Sequence, residues 1–309
     1  MKRLLTNIVL FSAPLLTYVL IAICIDPYNV IHEYSTPRLK ELKSQIAYKL
    51  SYPLYMLPKY AKNPTDIIIL GDSRAGMMNI TLMDSILKTK CTKLSFGGAS
   101  LKEVIETFWY ASKNQNLREV YIGVSFMQYN KYNQRNRVTE AVELLHSPLS
   151  YMFSSFCFKS TTLIIKSILT NSEIKIGVPS SSKEEFWKYQ LENDAVVSYY
   201  IEYEYPEYFH EQLVEISNYC KAKNIKLVFF IPPTHTDLQL LTKKYNRVKE
   251  NQRFIDDLSK IGLLYDFNYP NLITEDSNNF SDPHHLHSVF SDSLTIEIVA
   301  GINKYAQTD

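Results

Sequence analysis

The chain has 309 residues, of which 46% are hydrophobic, so it is long and apolar enough to bury a full core. Its 33 Lys and Arg residues nearly balance its 32 Asp and Glu residues. The composition excludes an intrinsically disordered chain, and the balanced charge excludes the basic surface on which nucleic-acid binding by counterion release depends. We therefore expect a globular protein without a nucleic-acid partner.

The amino-terminal segment is dominated by residues 4–25, which contain no charged side chain. As a helix this stretch would be about 33 Å long, enough to cross a hydrocarbon core of about 30 Å. The competing interpretation is a cleaved signal peptide, whose apolar region is usually shorter, about 7–15 residues. Residues 1–3 include Lys2 and Arg3 and are expected to form a cytoplasmic flank. The positive-inside rule then predicts a single-pass protein of the cell membrane with its main domain outside the cytoplasm.

After this anchor, the Pro- and Tyr-punctuated residues 26–62 are predicted to form a membrane-proximal stalk. In the remaining 63–309, five short apolar runs are typical of strands buried on both faces of a parallel sheet. These runs are residues 66–70, 92–96, 119–125, 226–231 and 263–267. Helical patterns lie between them, so we expect a doubly wound α/β domain with five strands.

Residues 130–205 interrupt this alternation, because they form a long stretch rich in Ser, Tyr and Phe between the third and fourth predicted strands. Connections of this length within a compact domain are usually lids or small subdomains. We expect this insertion to cover the active site and to limit the access of water.

Four cysteines are present, and their positions are Cys24, Cys91, Cys157 and Cys220. Their wide separation matches no Cys or Cys/His spacing of a zinc site. We expect neither a metal framework nor a disulfide.

A candidate nucleophile, Ser73, follows the first predicted strand directly in the sequence Gly71-Asp72-Ser73. The carboxyl end of such a strand is where ligands bind in open α/β sheets. A serine in this turn can attack a carbonyl carbon while its own N–H helps to bind the oxyanion that forms. The alternative is a structural turn and helix N-cap, positions that favour Asp and Ser.

Near the carboxyl end, the sequence Asp282-Pro-His-His285 places an acid three residues before a histidine. A tight turn would bring both to one side, where Asp282 orients the ring of His285 and the ring accepts the serine proton. The alternative is an N-cap aspartate beside surface histidines. Because adjacent histidines in an extended segment point to opposite sides, we expect His284 to face away, His287 to flank the final helix, and no metal to bind.

Together, the two motifs resemble the SGNH (GDSL-like) hydrolase superfamily, whose first block is Gly-Asp-Ser and whose last is Asp-x-x-His. The resemblance covers residues 66–309. It implies a three-layer α/β/α sandwich with a mainly parallel five-stranded sheet, a catalytic triad of Ser73, Asp282 and His285, and no cofactor. It also implies an oxyanion hole formed by the N–H groups of Ser73 and of a glycine after the second strand, here Gly98.

The superfamily's third block, Gly-x-Asn-Asp, is absent, and residues 123–130 read Gly-Val-Ser-Phe-Met-Gln-Tyr-Asn. Either Ser125, Gln128 or Asn130 supplies a third oxyanion donor, with Asn130 the candidate we name, or the hole has two backbone donors only.

Two further residues are candidates for substrate binding. Arg74 follows the nucleophile and would hold an anionic group, unless it simply faces solvent on the first helical turn. His235 follows the fourth predicted strand, where a structural role in a Pro-rich turn is the alternative.

Within the superfamily, the anchor, the Asp-x-x-His-Leu ending and the missing Asn block look most like DltD-like and alginate-acetylation-like envelope proteins. This resemblance implies a membrane-anchored esterase or acyltransferase that acts on O-acyl groups, acetyl or similar, of a cell-envelope glycan or polymer. It also implies a polytopic membrane acyltransferase as a partner. The competing hypothesis is a non-catalytic, membrane-tethered assembly or glycan-binding protein with a degenerate site.

Overall fold

The structure is a computed structural model that describes residues 2–172, 176, 182–192 and 195–301. Its strands are β1 (Ile67–Leu70), β2 (Cys91–Lys93), β3 (Glu119–Gly123), β4 (Lys226–Ile231), β5 (Leu263–Asp266), β6 (Phe280–Asp282) and β7 (His285–Leu286). The first eight helices are α1 (Lys2–Ile25), α2 (Pro37–Leu50), α3 (Tyr52–Lys62), α4 (Ile80–Leu87), α5 (Leu101–Asn114), α6 (Arg137–His146), α7 (Pro148–Met152) and α8 (Ser155–Thr170). The others are α9 (Lys183–Glu192), α10 (Ala195–Ile201), α11 (Glu207–Ala222), α12 (Thr236–Gln239), α13 (Leu241–Lys244), α14 (Val248–Ile261) and α15 (Ser291–Ala300).

These elements form two compact units. Unit 1 comprises Met1–Asn63 and Arg137–Pro179, and unit 2 comprises Pro64–Asn136 and Ser180–Asp309. The division differs from the predicted one, because the insertion over residues 130–205 is shared between the units.

A parallel sheet of five strands, in the order β2-β1-β3-β4-β5, forms the centre of unit 2. The predicted α/β class and all five predicted strands are confirmed, with ends that differ by at most three residues. The strands are apolar on both faces because helices of unit 2 cover them, as in other parallel sheets.

The end of β1 requires glycine. Gly71 has φ +140°, and a Cβ at this position would lie 2.7 Å from the carbonyl oxygen of Gly123 at the end of β3. Only a residue without a side chain permits this approach of two strand ends. The chain therefore turns sharply at Gly71, directly before the candidate nucleophile.

Unit 1 is built from helices, and residues 26–62 contribute α2 and α3 to it. The amphipathic helix α2 buries Leu42 and Ile46, which form a core cluster with Ile164 of α8. The ammonium group of Lys43 is also buried, and it donates to Asn29 Oδ1 at 2.7 Å and to Ser35 Oγ at 2.8 Å. The apolar face of α2 is therefore covered by α8 of the same unit, and the membrane-proximal position of residues 26–62 stays a prediction.

Helix α1 covers the predicted anchor, residues 4–25. Within the part of the chain that the structure describes, no helix combines the length and the apolarity needed to cross a membrane. The anchor stays a prediction from the sequence. The last residues of the chain, 302–309, lie outside the described residues.

Candidate active site

The hydroxyl group of Ser73 lies within hydrogen-bonding distance of a histidine from the other end of the chain. Ser73 occupies the turn between β1 and a single 3-10 turn at Ala75–Met77. Its Oγ is 2.8 Å from Nε2 of His285. The structure thus brings together the predicted nucleophile and the predicted base, both of which belong to unit 2.

A short hairpin presents this histidine. Strands β6 and β7 pair antiparallel and place Asp282 opposite His285, so that only Pro283 and His284 form the loop. The distances from Nδ1 of His285 to the two carboxylate oxygens of Asp282 are 2.7 and 2.9 Å. The predicted tight turn is therefore observed, with the acid and the histidine on one side.

The environment of Asp282 keeps its carboxyl group ionised. Burial alone would raise its pKa, but the hydrogen bond to the His285 ring, and a second from the His284 N–H, lower the pKa below its usual value. An ionised Asp282 favours the tautomer of His285 that carries its proton on Nδ1. Nε2 then has a free lone pair directed at the Ser73 hydroxyl, which is the arrangement that general-base activation of a serine requires.

The loop that contains Gly98 follows β2 alongside β1. The Phe96 N–H donates to the Gly71 carbonyl at 3.3 Å, so the two chains remain adjacent beyond the ends of their strands. Gly98 has φ +58°, and its carbonyl accepts a hydrogen bond of 2.8 Å from Arg135. The loop that contains Gly98 therefore lies at the same edge of the sheet as Ser73. The predicted oxyanion donors, the N–H groups of Ser73 and Gly98, are expected at this edge. Their role stays a prediction.

Asn130, the named candidate for a third oxyanion donor, is fully buried, and its side chain joins its own turn to α10. Its Nδ2 donates to the carbonyl of Tyr199 at 2.9 Å, and its Oδ1 accepts from the N–H of Tyr132 at 3.0 Å. Among the described residues its amide nitrogen makes no other hydrogen bond. The geometry gives Asn130 a structural role and offers no support for a direct part in the oxyanion hole.

Ser125 and Gln128 belong to a buried network with Asp72 and Arg74, which the sequence did not reveal. Arg74 donates from Nε to Asp72 at 2.9 Å and from Nη2 to both Asp72 and Ser125 Oγ, the latter at 2.6 Å. Gln128 Oε1 accepts from the Ser125 N–H at 3.1 Å, and its Nε2 donates to the Ala99 carbonyl at 2.7 Å. The network thus joins the loops that follow β1, β3 and β2.

The prediction that Arg74 either faces solvent or holds an anion is therefore incomplete, because the side chain is buried and paired. Burial alone would raise the pKa of Asp72, but the adjacent guanidinium lowers the pKa below its usual value. The two residues that flank the nucleophile thus form a buried ion pair. The sequence carries one signal for it, a carboxylate and a guanidinium two residues apart in a sharp turn.

The backbone of His235 forms a hydrogen bond with the loop of the β6–β7 hairpin. Its N–H donates to the Pro283 carbonyl at 2.9 Å, and its buried ring packs edge-on against Phe280 of β6 at 5.6 Å. Trp187 of α9 also contacts the His235 ring, with ring centroids 4.8 Å apart, and its indole N–H donates to Asp237 at 3.0 Å. Part of the predicted insertion therefore packs beside the hairpin. Its effect on water access stays a prediction.

The two neighbouring histidines, His284 and His287, lie in different environments. The side chain of His284 is buried, and neither ring nitrogen has a hydrogen-bond partner among the described residues. Its orientation away from the side of His285 stays a prediction. Burial, with the nearby positive charge of Arg74, lowers the pKa of His284 to about 3, so the ring is neutral. His287 is exposed and flanks α15, as expected.

No protein-family model matches the chain, and no curated protein matches it. The interpretation of the site therefore depends on the geometry of Ser73, His285 and Asp282.

Proposed function

We propose that the protein is a serine esterase or acyltransferase of the SGNH type, with a three-layer α/β/α sandwich around the five-stranded sheet. One observation carries the proposal: Ser73, His285 and Asp282 form a continuous hydrogen-bonded chain at the carboxyl edge of a parallel sheet. Serine hydrolases are recognised by this geometry and not by the position of the residues in the sequence.

In the first half of the reaction, Ser73 Oγ attacks the carbonyl carbon of an ester while its proton passes to His285 Nε2. Asp282 stabilises the imidazolium that forms. The tetrahedral intermediate then collapses with cleavage of the ester C–O bond, and His285 returns the proton to the departing alcohol. The product is an acyl group bound to Ser73.

In the second half, water or a sugar hydroxyl attacks the acyl group while His285 accepts its proton. Cleavage of the bond to Ser73 releases an acid or a new ester, and His285 returns the proton to the Ser73 oxygen. Hydrolysis and transfer share every protein group in this scheme. They differ only in which hydroxyl reaches the acyl-enzyme.

The oxyanion that forms in each half would be bound by the N–H groups of Ser73 and Gly98. Loss of one donor lowers the rate of other enzymes by about 10²–10³. We therefore expect a slower enzyme than one with a complete Gly-x-Asn-Asp block, unless the substrate itself provides a donor.

The proposed substrate is an O-acyl group, acetyl or similar, on a cell-envelope glycan or polymer. This part of the proposal rests on the resemblance drawn from the sequence, as do the membrane anchor over residues 4–25, an extracytoplasmic catalytic domain and a polytopic membrane acyltransferase as partner.

A second candidate function is a non-catalytic, membrane-tethered assembly or glycan-binding protein. It is favoured by the structural role of Asn130 and by the commitment of Gln128 to the Ala99 carbonyl, which leave no third donor identified.

The two functions are separated by treating the purified full-length chain with a fluorophosphonate probe and with p-nitrophenyl acetate. The enzyme should be labelled at Ser73 and should release nitrophenol, and the Ser73→Ala variant should do neither. A folded wild-type protein that is neither labelled nor active would contradict the enzyme and favour the second function.

A further inference from the structure

A cavity of about 530 Å³ lies at the carboxyl ends of β3, β4 and β5 in unit 2. Its lining includes Arg74 after β1, Ser125 after β3, Thr234 after β4 and Asn268 after β5. The volume falls within the range of about 300–1,000 Å³ that is typical of small-molecule sites. The cavity therefore has the size of a small-molecule site, and it lies at the carboxyl edge of the sheet, where Ser73 also lies.

One part of the wall carries polar atoms that have no protein partner. Gln239 Oε1 is buried and unpaired among the described residues, while its Nε2 is held by the Thr234 carbonyl at 2.7 Å. Asn268 Oδ1 accepts from the Thr234 N–H and hydroxyl, and within the described residues its Nδ2 makes no hydrogen bond. The Thr236 hydroxyl is likewise unpaired in that part of the chain. A buried acceptor without a partner destabilises the empty site, so a ligand that donates to it gains affinity.

Another part of the wall is formed by flat and apolar side chains, with Phe126, Tyr200 and Leu238 among them. The rings of Phe126 and Tyr200 pack together at 5.9 Å, and burial raises the pKa of Tyr200 to about 12, so its phenol is neutral. Aromatic faces beside hydrogen-bonding groups suit a ligand with one apolar face and a polar rim.

The charges of the cavity are balanced. Arg74 is already paired with Asp72, and at the rim the exposed cation Lys243 is offset by the exposed anion Glu275. Asp266 is the remaining carboxyl group, and burial raises its pKa, which disfavours its charged form. A phosphate or carboxylate ligand would find no surplus cation, so the lining selects an uncharged ligand.

We propose that this cavity binds an uncharged sugar unit of the substrate, with Gln239, Asn268 and Thr236 contacting its hydroxyl groups and the aromatic side chains packing against its ring. The assignment rests on the proposed function for the statement that this sugar unit belongs to the acylated substrate. The binding step itself requires no catalysis and is tested separately.

The test is titration calorimetry of the full-length Ser73→Ala protein with two uncharged probes, cellotetraose and N-acetylated chitotetraose. At least one tetraose should bind. Adding Gln239→Leu should raise its Kd about tenfold or more, and adding the near-isosteric Thr236→Val should raise it about threefold or more, because each removes one polar contact. Thr81→Val, an exposed position on α4 of the same unit, is the matched control and should leave Kd unchanged.

Failure of this assignment is distinguishable from failure of the proposed function. If neither tetraose binds, or if both Gln239→Leu and Thr236→Val bind as tightly as the control, the sugar site is wrong whether or not the fluorophosphonate labels Ser73. A kcat/KM for p-nitrophenyl esters that rises steeply from acetate to decanoate, and falls with Leu238→Asn, would instead make the cavity an acyl-chain pocket. Absent labelling together with tetraose binding would overturn the enzyme and retain the sugar site.

Discussion

Two hydrogen-bonded chains meet at the turn after β1, and they differ in their access to solvent. The first, which we propose to be catalytic and call the catalytic chain, runs from Ser73 to His285 and Asp282, and the His285 side chain is 37% exposed. The support network runs from Asp72 through Arg74 to the β2 and β3 loops, and the Arg74 side chain is only 3% exposed. A group that exchanges protons with a substrate must be reachable, whereas a group that fixes loops is most effective when it is sealed from water.

The largest effects are expected in the catalytic chain. Ser73→Ala, Asp282→Asn and His285→Ala should each lower turnover of p-nitrophenyl acetate by about 10³ or more, because each interrupts the same proton path. The triple variant should be little worse than the worst single variant, since the three groups act as one unit. Steady-state kinetics with the folded variants measures both effects, and losses that multiply would contradict a common path.

In the support network the expected loss is one of stability. Arg74→Met leaves the Asp72 carboxylate buried without its cation, and breaking a buried ion pair in this way typically destabilises a protein by about 3–5 kcal/mol. Urea unfolding measures the change. The double variant Arg74→Met, Asp72→Asn should recover much of the loss, because no unpaired charge remains.

The control for this prediction is the exposed pair of Lys90 and Asp84, whose Nζ–Oδ2 distance is 2.8 Å. Lys90→Met should leave the unfolding midpoint unchanged, because solvent screens this pair. An Arg74→Met variant that unfolds at the wild-type midpoint would show that the buried pair does not brace the loops.

The same difference explains what the sequence could and could not predict. The five strands were predictable because parallel strands covered on both faces have apolar runs such as residues 67–70, and Gly-Asp-Ser with Asp-x-x-His marked the catalytic chain. The link between Arg74, Ser125 and Gln128 was not predictable, because it joins loops that become neighbours only when the sheet assembles. Nothing in the local sequence specifies such a pairing.

The packing partner of residues 26–62 was not predictable for a related reason. An amphipathic pattern shows that α2 has an apolar face, but it does not show what covers that face. The covering residue, Ile164, lies more than a hundred positions away in α8. The burial of His284 was not predictable either, because it depends on the packing around the hairpin.

The burial of His284 predicts that the free energy of unfolding depends on pH. Its pKa falls from 6.5 when unfolded to about 3 in the folded protein, so between these values the unfolded chain binds one more proton. Stability therefore decreases as the pH falls below about 6.5, by at most about 1.4 kcal/mol per pH unit from this residue. Urea unfolding between pH 7 and pH 5 should show about 2 kcal/mol less acid destabilisation in His284→Leu than in the wild type. Equal pH dependence in the two proteins would mean that His284 is reached by water.

The smallest effect is expected at His287, which is exposed and contributes to neither chain. Its backbone N–H donates to the Asn279 carbonyl at 2.8 Å, a bond that His287→Ala preserves, and no hydrogen bond of its side chain is present among the described residues. Turnover of p-nitrophenyl acetate should therefore fall less than tenfold, and acid destabilisation should match that of the wild type.

The competing interpretation is that His284, His285 and His287 together hold a metal ion. His285 is already bonded to Ser73 and Asp282, and the ring of His284 is sealed inside unit 2, so the three rings do not converge. Activity that a chelator abolishes and zinc restores, or a loss in His287→Ala as large as in His285→Ala, would contradict this assignment.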